Sequence, residues 1–200
     1  MIKKELHNFI KNALMEDIGD GDHSSLASIP KDITSKAQLL IKDQGIIAGI
    51  ELAVMIFKIV DDTLKITQKL NDGDKVCYGD IAFIVEGNCL SILTAERLVL
   101  NCMQKMSGVA TKTNYLNSLI SKTKCKLLDT RKTTPLNRAI EKWAVRIGGG
   151  VNHRFGLYDM IMIKDNHIDF AGGIAQAISK AKRYLSEKNK CLDIIVEARN

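Results

Sequence analysis

The spacing of hydrophobic and polar positions changes character near the middle of the chain. In the first half, GIELAVMIFKIVD has the apolar spacing of a helix, whereas LKITQKL and IAFIVEG are typical of short strands. SKAQLLIKDQGIIAG favours a strand or a hairpin, and NDGD and YGD are turn signals between strands. This half is therefore predicted to be α+β, with a small antiparallel sheet.

Longer patterns follow from Ser91 onward. The stretch from Ser91 to Ser121 predicts one or two helices, with an interruption at Ser107–Gly108. Three short apolar runs come next, CKLLDT, MIMIK and LDIIVE, with helical patterns between them. Apolar strands that alternate with helices indicate βα units and a parallel sheet or barrel.

Charged residues follow each of these three apolar runs. The first run ends in Asp129-Thr130-Arg131-Lys132, the second in Lys164-Asp165-Asn166-His167, and the third in Glu197. In α/β sheets and barrels, ligands bind at the carboxyl ends of the strands. We therefore expect the three strands to deliver these groups to one rim.

Composition is that of a soluble globular protein with a real core, with 46% hydrophobic and 26% charged residues. No window approaches a membrane span of roughly 18 apolar residues, and the N-terminus lacks the features of a secretory signal. We expect a cytoplasmic location and no membrane contact.

The five cysteines are odd in number and form no CxxC pair, which favours reduced, mostly structural thiols.

Positive charge is concentrated in one segment of the chain. The net charge is +6, and residues 131–164 carry a surplus of +5. The seven bases of this segment are Arg131, Lys132, Arg138, Lys142, Arg146, Arg154 and Lys164, against the acids Glu141 and Asp159. Such a cluster suits an anionic ligand, although a solvated face has the same pattern. Nucleic acid is disfavoured, because the bases fall at strand ends and aromatic residues are few.

Several residues are candidates for binding an anion. Arg131 offers a bidentate fork and Lys132 a compact point charge for carboxylates or phosphates. His153 and Arg154 follow three consecutive glycines, whose freedom lets the backbone approach a ligand or another loop closely. Arg97 belongs to a polar stripe on a helix that is otherwise apolar.

Five segments together resemble the quinolinate phosphoribosyltransferase family, also called carboxylating nicotinate-nucleotide pyrophosphorylases. They are EDIGDGDHSS, LTAERLVLNCMQKMSGVATKT, LLDTRKTTP, KWAVRIGGGVNHRFGLYDMIMIKDNH and IIVEARN. The resemblance implies an α+β open-faced sandwich over residues 1–106 and a partial α/β, incomplete TIM-like barrel over 107–200. It also implies a cytoplasmic homodimer. The implied reaction joins quinolinate and phosphoribosyl pyrophosphate, with Mg²⁺, to give nicotinate mononucleotide, pyrophosphate and carbon dioxide in NAD biosynthesis.

The resemblance also implies roles for individual residues. Quinolinate and the phosphoribosyl group would be bound by Arg131, Lys132, His153, Arg154 and Lys164, with a hydrogen bond from Thr130. Arg97 would reach the site of the neighbouring subunit, and Glu197 would lie near the ribose and Mg²⁺. Lys132, Lys164 and Glu197 would be the catalytic groups, and no metal would be held by the protein alone.

Two positions depart from the family pattern. Leu136 stands where a loop glycine usually follows TTP, which puts the local backbone path in question. The chain ends at Asn200, before the later strands that would carry another acidic residue and the loops for the ribose phosphate. We expect a C-terminally truncated form whose last strand has an exposed edge.

Two other functions fit the same pattern. One is a non-catalytic remnant that binds anions or pairs with a partner subunit through the Arg97 helix. The other is a related transferase with a different substrate, since the candidate residues specify a polyanion better than they specify quinolinate.

The 200-residue chain by itself is expected to have little or no activity, because half of the phosphate site would be missing. The test incubates the purified chain with quinolinate and phosphoribosyl pyrophosphate and measures nicotinate mononucleotide. Production at a normal enzymatic rate would contradict the expectation.

Overall fold

A computed structural model describes residues 2–198, with side chains from residue 5 onward. The chain divides into two compact units. The first comprises the residues up to Asp129 together with Thr133–Asn152, and the second comprises Thr130–Lys132 together with the residues from His153 onward. An N-terminal part of sheet and helices is thus followed by an α/β part.

The first unit contains five helices and five strands in the part of the chain that the structure describes. The helices are α1 (Ile2–Ile18), α2 (His23–Ser28), α3 (Ile50–Val60), α4 (Cys89–Leu119) and α5 (Arg138–Ile147). The strands are β1 (Thr34–Leu40), β2 (Gly45–Ile46), β3 (Lys65–Gln68), β4 (Lys75–Val76) and β5 (Ile81–Asn88). Strand β5 lies between β1 and β3 and is antiparallel to both, which confirms the small antiparallel sheet. The hairpin alternative for residues 35–49 is wrong, because β2 pairs with β4 rather than with β1.

Helix α3 is the most apolar helix of this unit and lies in its core. Its buried side chains are Ile50, Leu52, Ala53, Ile56 and Phe57. The Phe57 ring meets the ring of Phe83 on β5 edge-on, with centroids 5.9 Å apart. Each of the buried Ile, Leu and Phe side chains stabilises the fold by roughly 1.5–3 kcal/mol through removal from water.

The predicted interruption of α4 at Ser107–Gly108 is wrong, since the helix runs unbroken over 31 residues. The Ser107 hydroxyl accepts a hydrogen bond from the Ala48 N–H (2.9 Å) and donates to the Ala48 carbonyl (3.2 Å). Thr111, one turn later, accepts from the Ile46 N–H at 2.9 Å. Buried Met106 and Ala110 flank this polar edge. Tertiary packing therefore outweighs the low helix propensity of Ser and Gly.

The three consecutive glycines pack against α4. A Cβ on Gly148 would lie 2.4 Å from the Ala110 carbonyl oxygen and 2.7 Å from Cβ of Thr113. A Cβ on Gly150 would lie 2.9 Å from Cγ2 of Thr113. The close approach that the glycines allow is therefore to a helix, where the sequence predicted a ligand or another loop.

The second unit contains β6 (Ile161–Ile163), α6 (Asp165–Ala171), α7 (Ile174–Glu187) and β7 (Ile194–Val196). Strands β6 and β7 are parallel neighbours, which confirms two of the three predicted strands. The first apolar run is not a strand: Leu128 forms an isolated parallel bridge with Val151 in the first unit. The predicted domain boundary between residues 106 and 107 falls within α4 and stays a prediction. Asn200, the last residue of the predicted barrel domain, lies outside the described residues.

None of the described helices is long and apolar enough to cross a membrane.

Leu136 has a left-handed backbone conformation, with φ at 63°, and its side chain is 95% exposed. A residue with a Cβ pays roughly 1–2 kcal/mol for this conformation, whereas glycine adopts it freely. The backbone path thus suits the glycine of the family pattern, although the chain carries leucine there.

Replacing Leu136 with Gly is expected to raise the free energy of unfolding by about 0.5–1 kcal/mol, because relief of strain exceeds the added entropy of the unfolded glycine. Urea unfolding measures the change. Leu136→Ala, which keeps the strained φ, is the matched control and should leave stability within about 0.5 kcal/mol of the original. Equal stabilities of the Gly and Ala variants would contradict the assignment of strain.

Gly148→Ala is expected to lower the free energy of unfolding by about 1–3 kcal/mol, since the new methyl group overlaps α4 backbone and side-chain atoms. Gly108→Ala is the control, because a Cβ at this exposed position of α4 meets nothing within 4 Å. Helix propensity predicts that the control stabilises by about 0.5–1 kcal/mol. The tight packing would be refuted if urea unfolding gave both variants the same sign.

Candidate active site

Lys164 and Glu197 lie side by side because their strands are neighbours. Each residue directly follows its strand, β6 or β7, and the register pairs Ile163 with Val196. The Glu197 N–H donates to the Ile163 carbonyl at 2.9 Å and extends the ladder by one bond. The Lys164 ammonium then contacts the Glu197 carboxylate at 2.8 Å. Parallel strands thus place a cation and an anion, 33 positions apart in sequence, at one sheet edge.

This ion pair is open to solvent, with the two side chains 46% and 59% exposed. An exposed pair of this kind contributes about 0–1 kcal/mol to stability. Its charged atoms therefore remain accessible to a ligand, and the pair can exchange partners at low cost.

His167 holds the backbone of Lys164. Helix α6 starts immediately after Lys164, and the Lys164 N–H donates to Nδ1 of His167 at 2.9 Å. The Lys164 carbonyl accepts the Ile168 N–H at 3.0 Å. The bond from the Lys164 N–H is one half of a capping box, with histidine in the place that Glu or Gln usually takes; the Lys164 ammonium cannot accept the reciprocal bond. The sequence alone does not predict this role of His167, because a capping-box pattern whose third residue is neither Glu nor Gln carries no clear signal.

Thr130, Arg131 and Lys132 form a short turn in the second unit. The Thr130 hydroxyl oxygen accepts the N–H of Lys132 at 3.0 Å. Thr130 and Lys132 are exposed, and Arg131 is half-buried. The hydroxyl therefore shapes the turn, and the Lys132 ammonium extends from it towards solvent.

His153 and Arg154, both half-buried, precede a loop that is tied down by Asp159. The Asp159 carboxylate accepts the N–H groups of Phe155 at 2.6 Å and of Gly156 at 2.8 Å. Asp159, one of the two acids within residues 131–164, thus accepts backbone hydrogen bonds of this loop.

Seven of the eight predicted site residues belong to the second unit. These seven are Thr130, Arg131, Lys132, His153, Arg154, Lys164 and Glu197. Arg97 is the exception: it is exposed on α4 in the first unit. Residues 130–132 are separated in sequence from the rest of the second unit, yet they belong to that unit.

Lys142 does not take part in the predicted cationic field. It is 2% exposed on α5, and its ammonium is paired with the buried carboxylate of Asp129. Asn152 donates from Nδ2 to the same carboxylate at 2.6 Å and to the Lys142 carbonyl at 2.8 Å. We name Asp129, Lys142 and Asn152 the buried polar network.

Sequence reasoning missed this network for a physical reason. Ile140 and Ala144, the buried apolar residues of α5, are one turn apart, and helical geometry places Lys142 on the opposite side. A lysine there is usually solvated. Burial on both sides of the helix is visible only once the tertiary structure is known.

Among the described residues, no group of three or more His, Cys, Asp or Glu side chains is placed to hold a metal ion. A cavity of about 770 Å³ lies in the first unit between α4 and residues 39–47. Its lining includes none of the predicted site residues.

The chain is similar to known proteins over nearly its whole length. The chain matches the family models "Quinolinate phosphoribosyl transferase, N-terminal domain" over residues 22–107 and "Quinolinate phosphoribosyl transferase, C-terminal domain" over residues 109–200. It is 48% identical over 196 residues to quinolinate phosphoribosyltransferase [decarboxylating] 1b of Nicotiana tabacum, covering 98% of this chain and 55% of that protein. It is 42% identical over 182 residues to the probable nicotinate-nucleotide pyrophosphorylase [carboxylating] of Bacillus subtilis, covering 91% of this chain and 61% of that protein. The chain therefore spans little more than half the length of these curated relatives.

Solved structures show the same similarity. NadC from Streptococcus pyogenes superposes with a TM-score of 0.88 at 37% identity, covering 96% of this chain and 68% of that one. The nicotinate-nucleotide pyrophosphorylase from Francisella tularensis gives a TM-score of 0.86 at 42% identity, covering 96% and 67%. Family models, sequence relatives and solved structures agree, and the chain belongs to the quinolinate phosphoribosyl transferase family.

Proposed function

We propose that the chain supplies the quinolinate-binding cations and the Lys164–Glu197 pair for transfer of the phosphoribosyl group of phosphoribosyl pyrophosphate to quinolinate. This transfer, with decarboxylation, forms nicotinate mononucleotide for NAD biosynthesis. The observation that carries the proposal is the Lys164–Glu197 pair at the ends of two parallel strands, in the unit that also holds the turn at 130–132. A cation and a carboxylate at one edge match the two charges that separate in this reaction.

Binding of quinolinate is assigned to the cations of the second unit. Arg131 and Arg154 offer planar forks for carboxylates, and Lys132 and Lys164 offer point charges. His153 and Thr130 add hydrogen bonds to the quinolinate and phosphoribosyl groups. Two carboxylates next to each other on a pyridine ring repel, and a cluster of fixed cations offsets that repulsion.

The chemistry of transfer explains why a carboxylate belongs among these cations. Breaking the bond between the ribose anomeric carbon and pyrophosphate leaves negative charge on the leaving group and positive charge on the sugar. Glu197 is proposed to stabilise the positive sugar, and Lys164 and Lys132 the negative groups. Holding the ring nitrogen against the anomeric carbon lowers the entropic part of the barrier.

Lys164 contributes twice in this scheme. Its ammonium pairs with Glu197, which orients the carboxylate. When quinolinate binds, the exposed ammonium is available to a substrate carboxylate, and Glu197 is released towards the ribose. His167, through the Lys164 N–H, keeps the backbone of the lysine in place during this exchange.

Mg²⁺ is proposed to enter with phosphoribosyl pyrophosphate. Mg²⁺ prefers one or two protein carboxylates together with substrate phosphates and water, and the exposed carboxylate of Glu197 fits that donor set. The ion supplies neutralisation of the charge that develops on pyrophosphate.

The finer architecture is part of the same proposal. We assign the antiparallel sheet and helices of the first unit to an open-faced sandwich, and the β6–α6–α7–β7 segment to part of a TIM-like barrel. The protein is proposed to act as a homodimer, with Arg97 contributed to the neighbouring subunit's site. The exposure of Arg97 on α4 supports this role. The cytoplasmic location stays a prediction.

Replacing Arg131 or Lys164 with Ala is expected to weaken quinolinate binding by about 1.5–3 kcal/mol for each charged hydrogen bond lost. Isothermal titration calorimetry of the chain with quinolinate measures the change. Arg183→Ala and Lys182→Ala are the matched controls, because both residues are exposed on α7 of the same unit and lie outside the proposed site.

Three results of this titration decide between functions. Unchanged affinity in Arg131→Ala or Lys164→Ala would remove that residue from the site. No binding of quinolinate to the unaltered chain would reject the proposed function. Equal affinity for quinolinate and inorganic pyrophosphate would favour a general anion-binding protein.

A further inference from the structure

The buried polar network joins three segments of the first unit through one carboxylate. Asp129 follows the first apolar run, Lys142 lies on α5, and Asn152 follows the glycines. The Lys142 and Asp129 side chains are 3% and 7% exposed. Both carboxylate oxygens are used, since Oδ1 accepts from the Lys142 ammonium and Oδ2 from the Asn152 amide.

Backbone hydrogen bonds align the same segments. The Val151 N–H donates to the Leu127 carbonyl at 2.9 Å, and the Asp129 N–H donates to the Val151 carbonyl at 3.2 Å. Leu128 and Val151 thus form a parallel bridge. Side-chain and backbone bonds together hold residues 127–129 beside residues 151–152.

The two segments held in this way lead directly to candidate site residues. Asp129 is the last residue of the first unit before Thr130–Lys132, and Asn152 is the last before His153–Arg154. Consecutive Cα atoms are about 3.8 Å apart across a trans peptide, so the position of each anchor limits where the next residue can lie. A misplacement of about 1 Å in a substrate-positioning group lowers the rate by about 100-fold.

Stability alone does not account for the presence of a buried ion pair. Well-packed apolar residues of similar volume often serve stability equally well. What a charged, hydrogen-bonded network adds is direction, because hydrogen bonds weaken steeply when the donor and acceptor move out of line.

We infer that Asp129, Lys142 and Asn152 are positioning residues that fix the starting points of the two substrate-binding segments, Thr130–Lys132 and His153–Arg154. The identity of the ligand rests on the proposed function. None of the three network residues needs to touch the substrate: they act through the residues that follow them in the chain.

Asn152→Ala tests the inference most directly, since it removes both side-chain hydrogen bonds and no charge. We expect the dissociation constant for quinolinate to rise at least tenfold at a temperature where circular dichroism shows the variant folded. Asn117→Ala is the matched control, because that amide donates one hydrogen bond to the Gly149 carbonyl in the same unit. The control is expected to bind within twofold of the unaltered chain.

A double variant, Asp129→Asn with Lys142→Met, separates positioning from stability. It removes both buried charges together and so leaves neither one unpaired. We expect a folded protein that still binds quinolinate at least tenfold more weakly. Wild-type affinity in the folded double variant, or in folded Asn152→Ala, would overturn the inference.

Hydrogen exchange of the unaltered chain keeps the inference testable if both variants fail to fold. The Asp129 and Val151 amides are expected to be protected before any ligand is added. Exchange as fast as in an exposed loop, slowing only with quinolinate, would show that the ligand rather than the network orders these segments. A chain that binds no quinolinate would reject the proposed function, and the exchange result would still decide whether the segments are pre-positioned.

Discussion

Lys142 carries its charge at an almost fully buried position, so the fold has to place an opposite charge beside it. A buried ammonium without a partner costs several kcal/mol, so Asp129 must lie beside it. Asn152 completes the hydrogen bonding of the same carboxylate. Three distant segments are thereby held together, and two of them lead into the segments that carry the proposed substrate-binding residues.

Close packing of backbone against backbone supports this arrangement. Gly148 and Gly150 leave no room for a side chain against α4, so the loop that carries Asn152 lies directly on the helix. Helix α4 in turn binds the segment around Ala48 through Ser107. Leu136 shows the opposite case, where a side chain is kept at a backbone position suited to glycine and the protein bears the strain.

The geometry of parallel strands brings two charged groups of the second unit together. Neighbouring strands that run the same way end at the same edge, which is why Lys164 and Glu197 form an ion pair. The pair stays exposed and therefore exchangeable, as the role proposed for Lys164 requires. Membership of the quinolinate phosphoribosyl transferase family rests on matches that run through both units. The reaction, the substrates and the residue roles are proposals, which the activity and binding experiments test.

The sequence by itself determined the local elements and the identity of the family. Apolar periodicity located α3, β5, β6 and β7, and the motifs around Arg131 and Lys164 carried the resemblance, because both signals lie within short stretches of chain. The tertiary structure alone decided that α4 runs unbroken, that Leu128 forms a bridge instead of a strand, and that Lys142 is buried. Each of these depends on contacts between residues far apart in sequence, and such contacts override the local preferences that a pattern can report.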